Sequence, residues 1–265
     1  MFRRLDSANA KVLLADILDD GEIVRQNFVP SPMCHSDSLD RWDRLRSELM
    51  HENRFFPRIA LDLERLEGLL PYLLVDISEL PQTWFRARIQ QESRPYAADE
   101  MGAPPKHRAT HGRANPAGIP YLYLASTVLT AISELRPHPG EAATVAEFSI
   151  AAGLKLVDLR SPRITVSPFM LSSESAVALV RGDIGFLEHL GNELTRPVVP
   201  QTAAIDYIPA QFLCEFVKHS GFDGVAYKSS VGEGVNVALF QPELATIGRL
   251  VTRRVSSVAV ELSEN

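Results

Sequence analysis

The first 78 residues carry the spacing of apolar side chains that is typical of amphipathic helices. Leu39, Trp42, Leu45 and Leu49 recur three or four positions apart, so they fall on one helix face. A second stretch, IALDLERLEGLLPYLL, repeats such spacing until a proline interrupts it. Glycine, proline and β-branched residues are sparse in both stretches. The pattern predicts a helical N-terminal extension over residues 1–78, packed on the rest of the chain.

After this extension the pattern changes to short apolar runs separated by turns. Residues 83–89, TWFRARI, set arginines among large apolar side chains and predict a strand. The polar residues 90–118 are rich in proline and glycine, and unstructured loops of this length within compact domains often carry function. The apolar run 121–125 predicts a second strand, which leads into a short helix that carries Glu134.

The second half of the chain continues to mix strands with helices. Two β-like runs at 144–150 and 154–159 surround a glycine and predict a hairpin. Residues 174–195 have a helical pattern, and a further helix is expected over 206–220. The glycine that follows at 221 is suited to a left-handed helix cap.

Strands also occupy the end of the chain. Residues 222–230 give a turn and a strand, and residues 235–240 are predicted to pair with it across a glycine loop. The alternating run 251–262 predicts an edge strand. Because strands and helices mix without regular βαβ spacing, the predicted fold class is α+β.

Composition and charge narrow the possible functions. The chain has 265 residues, 45% of them hydrophobic, which suits either one large domain or one domain with a smaller appendage. The formal net charge is −6 and no long basic run occurs, so no nucleic-acid partner is expected. With no apolar stretch of about 18 residues, no membrane span is expected. The N-terminal residues lack a signal peptide pattern and Cys34 and Cys214 stand far apart, so a reducing, cytoplasmic location is expected.

Several common catalytic motifs do not occur in the sequence. The chain has no GxGxxG after a predicted strand, no GxxxxGK[ST] and no GxSxG. A Rossmann site, a P-loop and a nucleophile-elbow hydrolase are therefore not supported. His107 and His111 have zinc-like spacing but lie in a Pro- and Gly-rich loop, and Cys34-His35 has no second pair, so no metal site is predicted.

Three polar residues stand in otherwise apolar surroundings and are candidates for chemistry. Arg86 lies in the first predicted strand, Glu134 on the short helix, and Ser229 at the end of a late strand. Each has a purely structural alternative, namely a salt bridge, a solvated helix face and a turn. From the residues alone, the prediction is an α+β domain with an anion site.

Together these segments resemble the RES domain, which is named for an arginine, a glutamate and a serine. The run GRANPAGIPYLYLAS followed by TAISE, the upstream FRAR and the downstream GFDGVAYKSS and GVNVALF carry the resemblance in the family's order. The domain is found in bacterial toxins of toxin–antitoxin modules. The resemblance implies a RES domain at 79–265 and a helical N-terminal extension at 1–78, as in the longer members.

The resemblance also implies a fold and an activity. The fold is an ADP-ribosyltransferase-like mixed sheet core with a pocket for NAD⁺. The activity is cleavage of the nicotinamide–ribose bond of NAD⁺ by phosphorolysis or hydrolysis, which would make the protein a toxin that depletes NAD⁺. NAD⁺ is then a substrate, inorganic phosphate is the co-substrate of phosphorolysis, and no cofactor is expected. A cognate antitoxin and a homodimer are the expected protein partners.

The motifs assign roles by their match to the family. The catalytic residues implied are Glu134, Arg86 and Ser229. The residues implied to bind NAD⁺ are Tyr123, Arg113, Arg88 and Tyr227. Arg88 is a rival to Arg86, because residues two apart in a strand share a face. Arg86 is preferred since it directly follows the aromatic pair Trp84-Phe85.

Two other functions remain open at this stage. An ADP-ribosyltransferase that modifies a protein would use the same half-site for NAD⁺. A catalytically inert partner-binding module is the other alternative, although the joint presence of arginine, glutamate and serine argues against it.

Overall fold

The computed structural model describes residues 6–29, 31–75, 77–91, 94–166, 171–199 and 201–259. The helices within these residues are α1 (Ser7–Leu18), α2 (Ser38–His51), α3 (Leu63–Leu69), α4 (Val128–Ser133), α5 (Pro162–Thr165), α6 (Glu174–Thr195), α7 (Ala203–Asp206) and α8 (Ile208–His219). The strands are β1 (Trp84–Ile89), β2 (Leu122–Ala125), β3 (Ala142–Ile150), β4 (Leu156–Asp158), β5 (Gly224–Lys228), β6 (Val235–Leu239) and β7 (Ala245–Arg254). The predicted α+β class with a helical N-terminal region is confirmed.

The strands form one mixed seven-stranded sheet in the order β4-β5-β6-β2-β1-β3-β7. Strands β4 and β5 pair in parallel, and every other neighbouring pair is antiparallel. The late pair predicted from the glycine loop is confirmed, because β5 and β6 are antiparallel neighbours. The predicted edge strand overlaps β7, which begins earlier than predicted, at Ala245, and ends at Arg254. Residues 255–259 of the predicted run are not in a strand, and residues 260–262 lie outside the described residues.

The hairpin predicted from residues 144–150 and 154–159 is wrong. Strand β3 is already paired on both sides, with β1 and β7, while β4 lies at the opposite edge beside β5. Leu156 and Val157 of β4 are fully buried, so both faces of this short strand need cover. The side chain of Asp223 accepts a hydrogen bond from the backbone N–H of Lys155 at 2.8 Å, which aligns β4 with the start of β5.

The centre of the sheet opens between β1 and β2. These strands share the single register pair Phe85–Ala125, whereas β1 and β3 share six pairs. Strand β2 remains fully paired with β6 on its other side. Strand β1 runs alongside β3, and β2 runs alongside β6. Strands β1 and β2 therefore diverge from each other and leave a gap near the middle of the sheet.

Residues of the N-terminal extension from α2 onward share one hydrophobic core with the sheet, whereas α1 has no buried residue. Trp42 of α2 is fully buried, and its ring lies 6.3 Å from Phe186 and 6.4 Å from Phe212. The buried Asp183 of α6 accepts a hydrogen bond from Arg65 at 2.6 Å and another from a serine before α2. A buried carboxylate needs such partners, so the extension is part of the environment that α6 requires. The division of the chain at residue 78 stays a prediction.

Two further observations bear on the sequence predictions. The helices predicted over 174–195 and near 206–220 are confirmed as α6 and as α7 with α8. None of the helices in the described residues is long and apolar enough to cross a membrane.

Candidate active site

A cavity of about 180 Å³ lies where β1 and β2 diverge. Its polar and aromatic lining residues include Arg86, Tyr123, Glu134, Tyr227 and Asn236. They come from four neighbouring strands and the end of α4, so the gap in the sheet gathers residues that are up to 150 positions apart. The strand-to-helix junction after β2 therefore supplies one wall of a defined site.

Glu134 is the carboxylate of this cavity, and its place is set by the short helix α4. That helix begins directly after β2, where the side chain of Thr127 accepts the backbone N–H of Thr130 at 3.0 Å. Glu134 follows the last residue of the helix. Its Oε1 accepts hydrogen bonds from Ser229 Oγ at 2.7 Å and from Asn236 Nδ2 at 2.6 Å. One oxygen of the carboxylate is thus fixed by two donors.

Ser229 is held against Glu134 by the loop that joins β5 to β6. The loop closes on itself because Ser229 N donates to Gly234 O at 3.0 Å. It is fastened to α4 by Thr130 Oγ1, which donates to Glu233 O at 2.9 Å. Gly234 has φ of 125°, and a Cβ there would collide with the Thr130 side chain. A glycine is therefore required where the loop passes over the helix.

Arg86 extends from β1 into the gap between the strands. Its Nη1 donates to the carbonyl oxygen of Tyr123 at 3.1 Å. Its Nε is buried and has no hydrogen-bond partner among the described residues. Burial and the neighbouring Arg88 lower the pKa of Arg86 to about 10, so the guanidinium is still charged at neutral pH. Arg86 forms no ion pair with a described carboxylate, which leaves its charge available to an anionic ligand.

Tyr123 lines the cavity while its hydroxyl is used structurally. The hydroxyl donates to Asn115 Oδ1 at 2.7 Å and accepts from the backbone N–H of Ala114 at 2.9 Å. Burial raises the pKa of Tyr123 and of Tyr227, so both phenols are neutral across the physiological range. The cavity wall next to Glu134 is thus aromatic and uncharged.

Asn115, from the GRANPAG run, organises the loop before β2. It is 4% exposed, and its Nδ2 donates to the carbonyl oxygens of Thr110, Pro116 and Ile119. A Cβ at Gly112 would stand 2.5 Å from Asn115 Oδ1. The GRANPAG run therefore forms the loop that holds the hydroxyl of Tyr123 in place.

Arg88 and Arg113, predicted to bind NAD⁺, are not among the residues that line the cavity. Arg88 donates to Gly102 O at 2.9 Å. Arg113 donates to Arg196 O at 2.8 Å and to Ser230 Oγ at 2.9 Å, so it braces the loop beside Ser229. Their roles in binding stay predictions.

Asn236 is the site residue that sequence reasoning missed. It is 5% exposed and lies in β6 within the run VNVALF. Its only sequence signal is an amide in an otherwise apolar strand. A buried amide needs a partner, and Glu134 supplies it. No group of three or more His, Cys, Asp or Glu side chains suited to a metal occurs within the described ranges.

Known proteins include a family that this chain matches over most of its length. The RES domain family model matches residues 83–257, well over half of the chain. No curated protein sequence matches the chain. Among solved structures, the crystal structure of the M. tuberculosis MbcT–MbcA toxin–antitoxin complex contains a similar chain, with 14% sequence identity and a TM-score of 0.41. That match covers 72% of this chain and 91% of the other. By the extent of the family match, the chain belongs to the RES domain family.

Proposed function

We propose that this protein degrades NAD⁺ by cleaving the bond between nicotinamide and ribose, and that it acts as a toxin. The observation that carries the proposal is the geometry of Glu134. Two donors hold its Oε1, and the side chain lines a cavity that also contains the charged Arg86. Family membership supports the same activity, because the resemblance to RES toxins implies it.

The charge of the cavity suits a dinucleotide. Arg86 carries a positive charge that no described carboxylate neutralises, and its buried Nε lacks a partner. A guanidinium matches a phosphate group in shape and charge, so the pyrophosphate of NAD⁺ is its proposed ligand. The cavity of about 180 Å³ is smaller than a typical site for a whole drug-sized ligand, so it receives the nicotinamide end.

The aromatic wall suits the nicotinamide ring. In NAD⁺ this ring carries a positive charge, and a cation over a tyrosine ring gains about 0.5–2 kcal/mol. Tyr123 and Tyr227 both line the cavity next to Glu134. Because both phenols are neutral, they favour the ring by contact and leave Glu134 as the negative charge of this wall.

Glu134 then has a direct role in bond cleavage. As nicotinamide leaves, positive charge develops on the ribose, and a fixed carboxylate stabilises that charge. Oε1 already accepts two hydrogen bonds, so Oε2 is the oxygen available to a ribose hydroxyl. Ser229 orients the carboxylate. The electron pair of the broken bond leaves with nicotinamide, and water or inorganic phosphate attacks the anomeric carbon.

The biological setting is part of the proposal. The MbcT–MbcA structure is that of a toxin with its antitoxin. For this chain we propose a cognate antitoxin, a cytoplasmic location and NAD⁺ as the substrate. A homodimer remains a proposal from the family resemblance.

The test is nicotinamide release from NAD⁺ by the purified protein, with and without phosphate, beside the variant Glu134→Gln. We expect release by the wild type and a loss of about a hundredfold or more in the variant, because the charge that stabilises the ribose is gone. Release that needs phosphate indicates a phosphorylase, and release without phosphate indicates a hydrolase. Unchanged release in a folded Glu134→Gln would overturn the mechanism.

Labelled NAD⁺ separates degradation from transfer. Free ADP-ribose or its phosphorylated form indicates degradation, whereas label retained on a protein indicates an ADP-ribosyltransferase. Absence of NAD⁺ binding by calorimetry would favour the partner-binding module instead.

A further inference from the structure

Asn236 lines the cavity from β6. Its neighbours across the two adjacent strands are Tyr227 of β5 and Ala125 of β2. Residues directly opposite each other in antiparallel strands face the same side of the sheet. The amide therefore points to the side on which the cavity residues Tyr227 and Glu134 lie, and its Nδ2 reaches Glu134 Oε1 at 2.6 Å.

The amide of Asn236 interacts with Glu134 differently from the way in which a second carboxyl group at this position would. An amide N–H₂ donates hydrogen bonds and neither takes up nor releases a proton near neutral pH. Ser229 Oγ donates to the same oxygen at 2.7 Å. Both donors bind Oε1, so the second oxygen of the carboxylate takes no part in these two contacts.

We propose that Asn236 is a positioning residue for Glu134: it fixes Oε1 and thereby presents Oε2 to the ribose. This inference rests on the proposed cleavage of NAD⁺. Asn236 acts through Glu134, so its loss impairs the chemical step more than the binding of NAD⁺.

Other titratable groups line the same cavity and define the background for a pH test. They are Arg86 on β1, Tyr123 on β2 and Tyr227 on β5, which line the cavity. Burial lowers the pKa of Arg86 to about 10 and raises the pKa of both tyrosines. None of the three changes its charge between pH 5 and 8 on these shifts, so an effect of replacing Asn236 in that range comes from the new group.

The experiment compares Asn236→Ala and Asn236→Asp with Asn192→Asp, which makes the same amide-to-acid change at an exposed position of α6. For Asn236→Ala we expect kcat to fall about tenfold or more, with KM changed by less than about threefold. For Asn236→Asp we expect the pH optimum for nicotinamide release to move down by about one unit or more. The introduced carboxyl group donates to Glu134 only while the pair shares a proton. Asn192→Asp is expected to keep the wild-type profile.

Two outcomes would overturn the assignment. One is a wild-type kcat in both Asn236 variants. The other is an equal loss in both variants at every pH, which would indicate a structural role alone.

A second measurement does not depend on activity. In a double-mutant cycle of Glu134→Ala and Asn236→Ala, we expect non-additive shifts of the urea unfolding midpoint, because the residues contact each other. Additive shifts would refute the coupling. If the wild type released no nicotinamide, the proposed function would fail, while this cycle would still decide whether Asn236 holds Glu134.

Discussion

At the scale of single residues, Ser229 and Ser230 are adjacent in sequence yet contact different partners. Ser229 donates to Glu134, whereas Ser230 accepts a hydrogen bond from Arg113. Only the first contact touches the carboxylate proposed to act on the ribose. The chemical importance of the two hydroxyls is therefore expected to differ, although both belong to the same YKSS run.

Ser229→Ala is expected to lower kcat for nicotinamide release by about tenfold, because a hydrogen bond to a charged group is worth about 1.5–3 kcal/mol. Ser230→Ala is the matched control and is expected to stay within about threefold of the wild type. Steady-state kinetics of both variants makes the comparison. Equal losses would show that the loop as a whole, and not the contact with Glu134, is what matters.

A matched pair of variants also distinguishes the roles of the two arginines of β1. Arg86→Lys removes the planar fork that lies in the cavity, so KM for NAD⁺ is expected to rise about tenfold. Arg88→Lys changes a side chain that donates to Gly102 O, and a smaller effect on KM is expected. Steady-state kinetics of nicotinamide release gives KM for both variants. A larger effect of Arg88→Lys would reverse the assignment of the key arginine.

At the scale of elements, the β5–β6 loop depends on one glycine. Gly234 has φ of 125° and lies against Thr130, whereas Gly232 has nothing within 4 Å of where a Cβ would stand. Gly234→Ala is expected to destabilise the fold by about 1–3 kcal/mol, since both backbone strain and a steric clash oppose it. Gly232→Ala is expected to stay within about 0.5 kcal/mol of the wild type. Thermal unfolding of both variants tests this, and similar losses would contradict it.

The backbone of the turn between α2 and α3 donates hydrogen bonds to the carboxylate of Glu48. Hydrogen bonds from the backbone of Arg58 and Ile59 lower the pKa of the buried Glu48 below its usual value of 4.5. A carboxyl group with a lowered pKa stabilises the fold above pH 4.5, and this contribution disappears as pH falls through its folded pKa. Glu48→Gln is therefore expected to unfold at lower urea concentration than the wild type at pH 7.

The same reasoning sets the control for Glu48. Below pH 4.5 the difference in urea unfolding midpoint between the wild type and Glu48→Gln is expected to shrink. The reason is that the wild-type carboxyl becomes protonated and is then neutral, as the glutamine is. Glu52→Gln changes an exposed partner of Arg58 and is expected to have little effect at either pH. A pH-independent difference for Glu48→Gln would refute the linkage.

Periodicity predicted most elements because many of the helices and strands bury one face, and this shows in the sequence. It failed for residues 154–159, where pairing with β5 is decided by contacts almost 70 positions away. It also gave no role to Asn236, since one amide in an apolar strand has no partner that local spacing can reveal. Motif resemblance named Glu134, Arg86 and Ser229, but the shared oxygen of Glu134 is a tertiary contact that only the fold shows.

At the scale of the whole molecule, the N-terminal extension is fastened to α6 by buried charge. Asp183 is fully buried and pairs with Arg65 of α3 at 2.6 Å. Asp183→Asn would leave Arg65 without its counter-charge, so a loss of about 3 kcal/mol or more is expected. Glu188→Gln breaks the exposed pair with Arg163 and is expected to cost less than about 1 kcal/mol. Urea unfolding compares the two, and equal losses would mean that the extension is not held in this way.

The order of synthesis decides when the contacts of Glu134 can form. Its two hydrogen-bond donors, Ser229 and Asn236, are translated after it. About a hundred residues separate Glu134 from Asn236, which corresponds to on the order of ten seconds of synthesis. A nascent chain that stops before Ser229 carries the arginine and the glutamate but neither of the two donors that hold Glu134. For the proposed cleavage of NAD⁺, a complete site would thus exist only in a nearly finished chain.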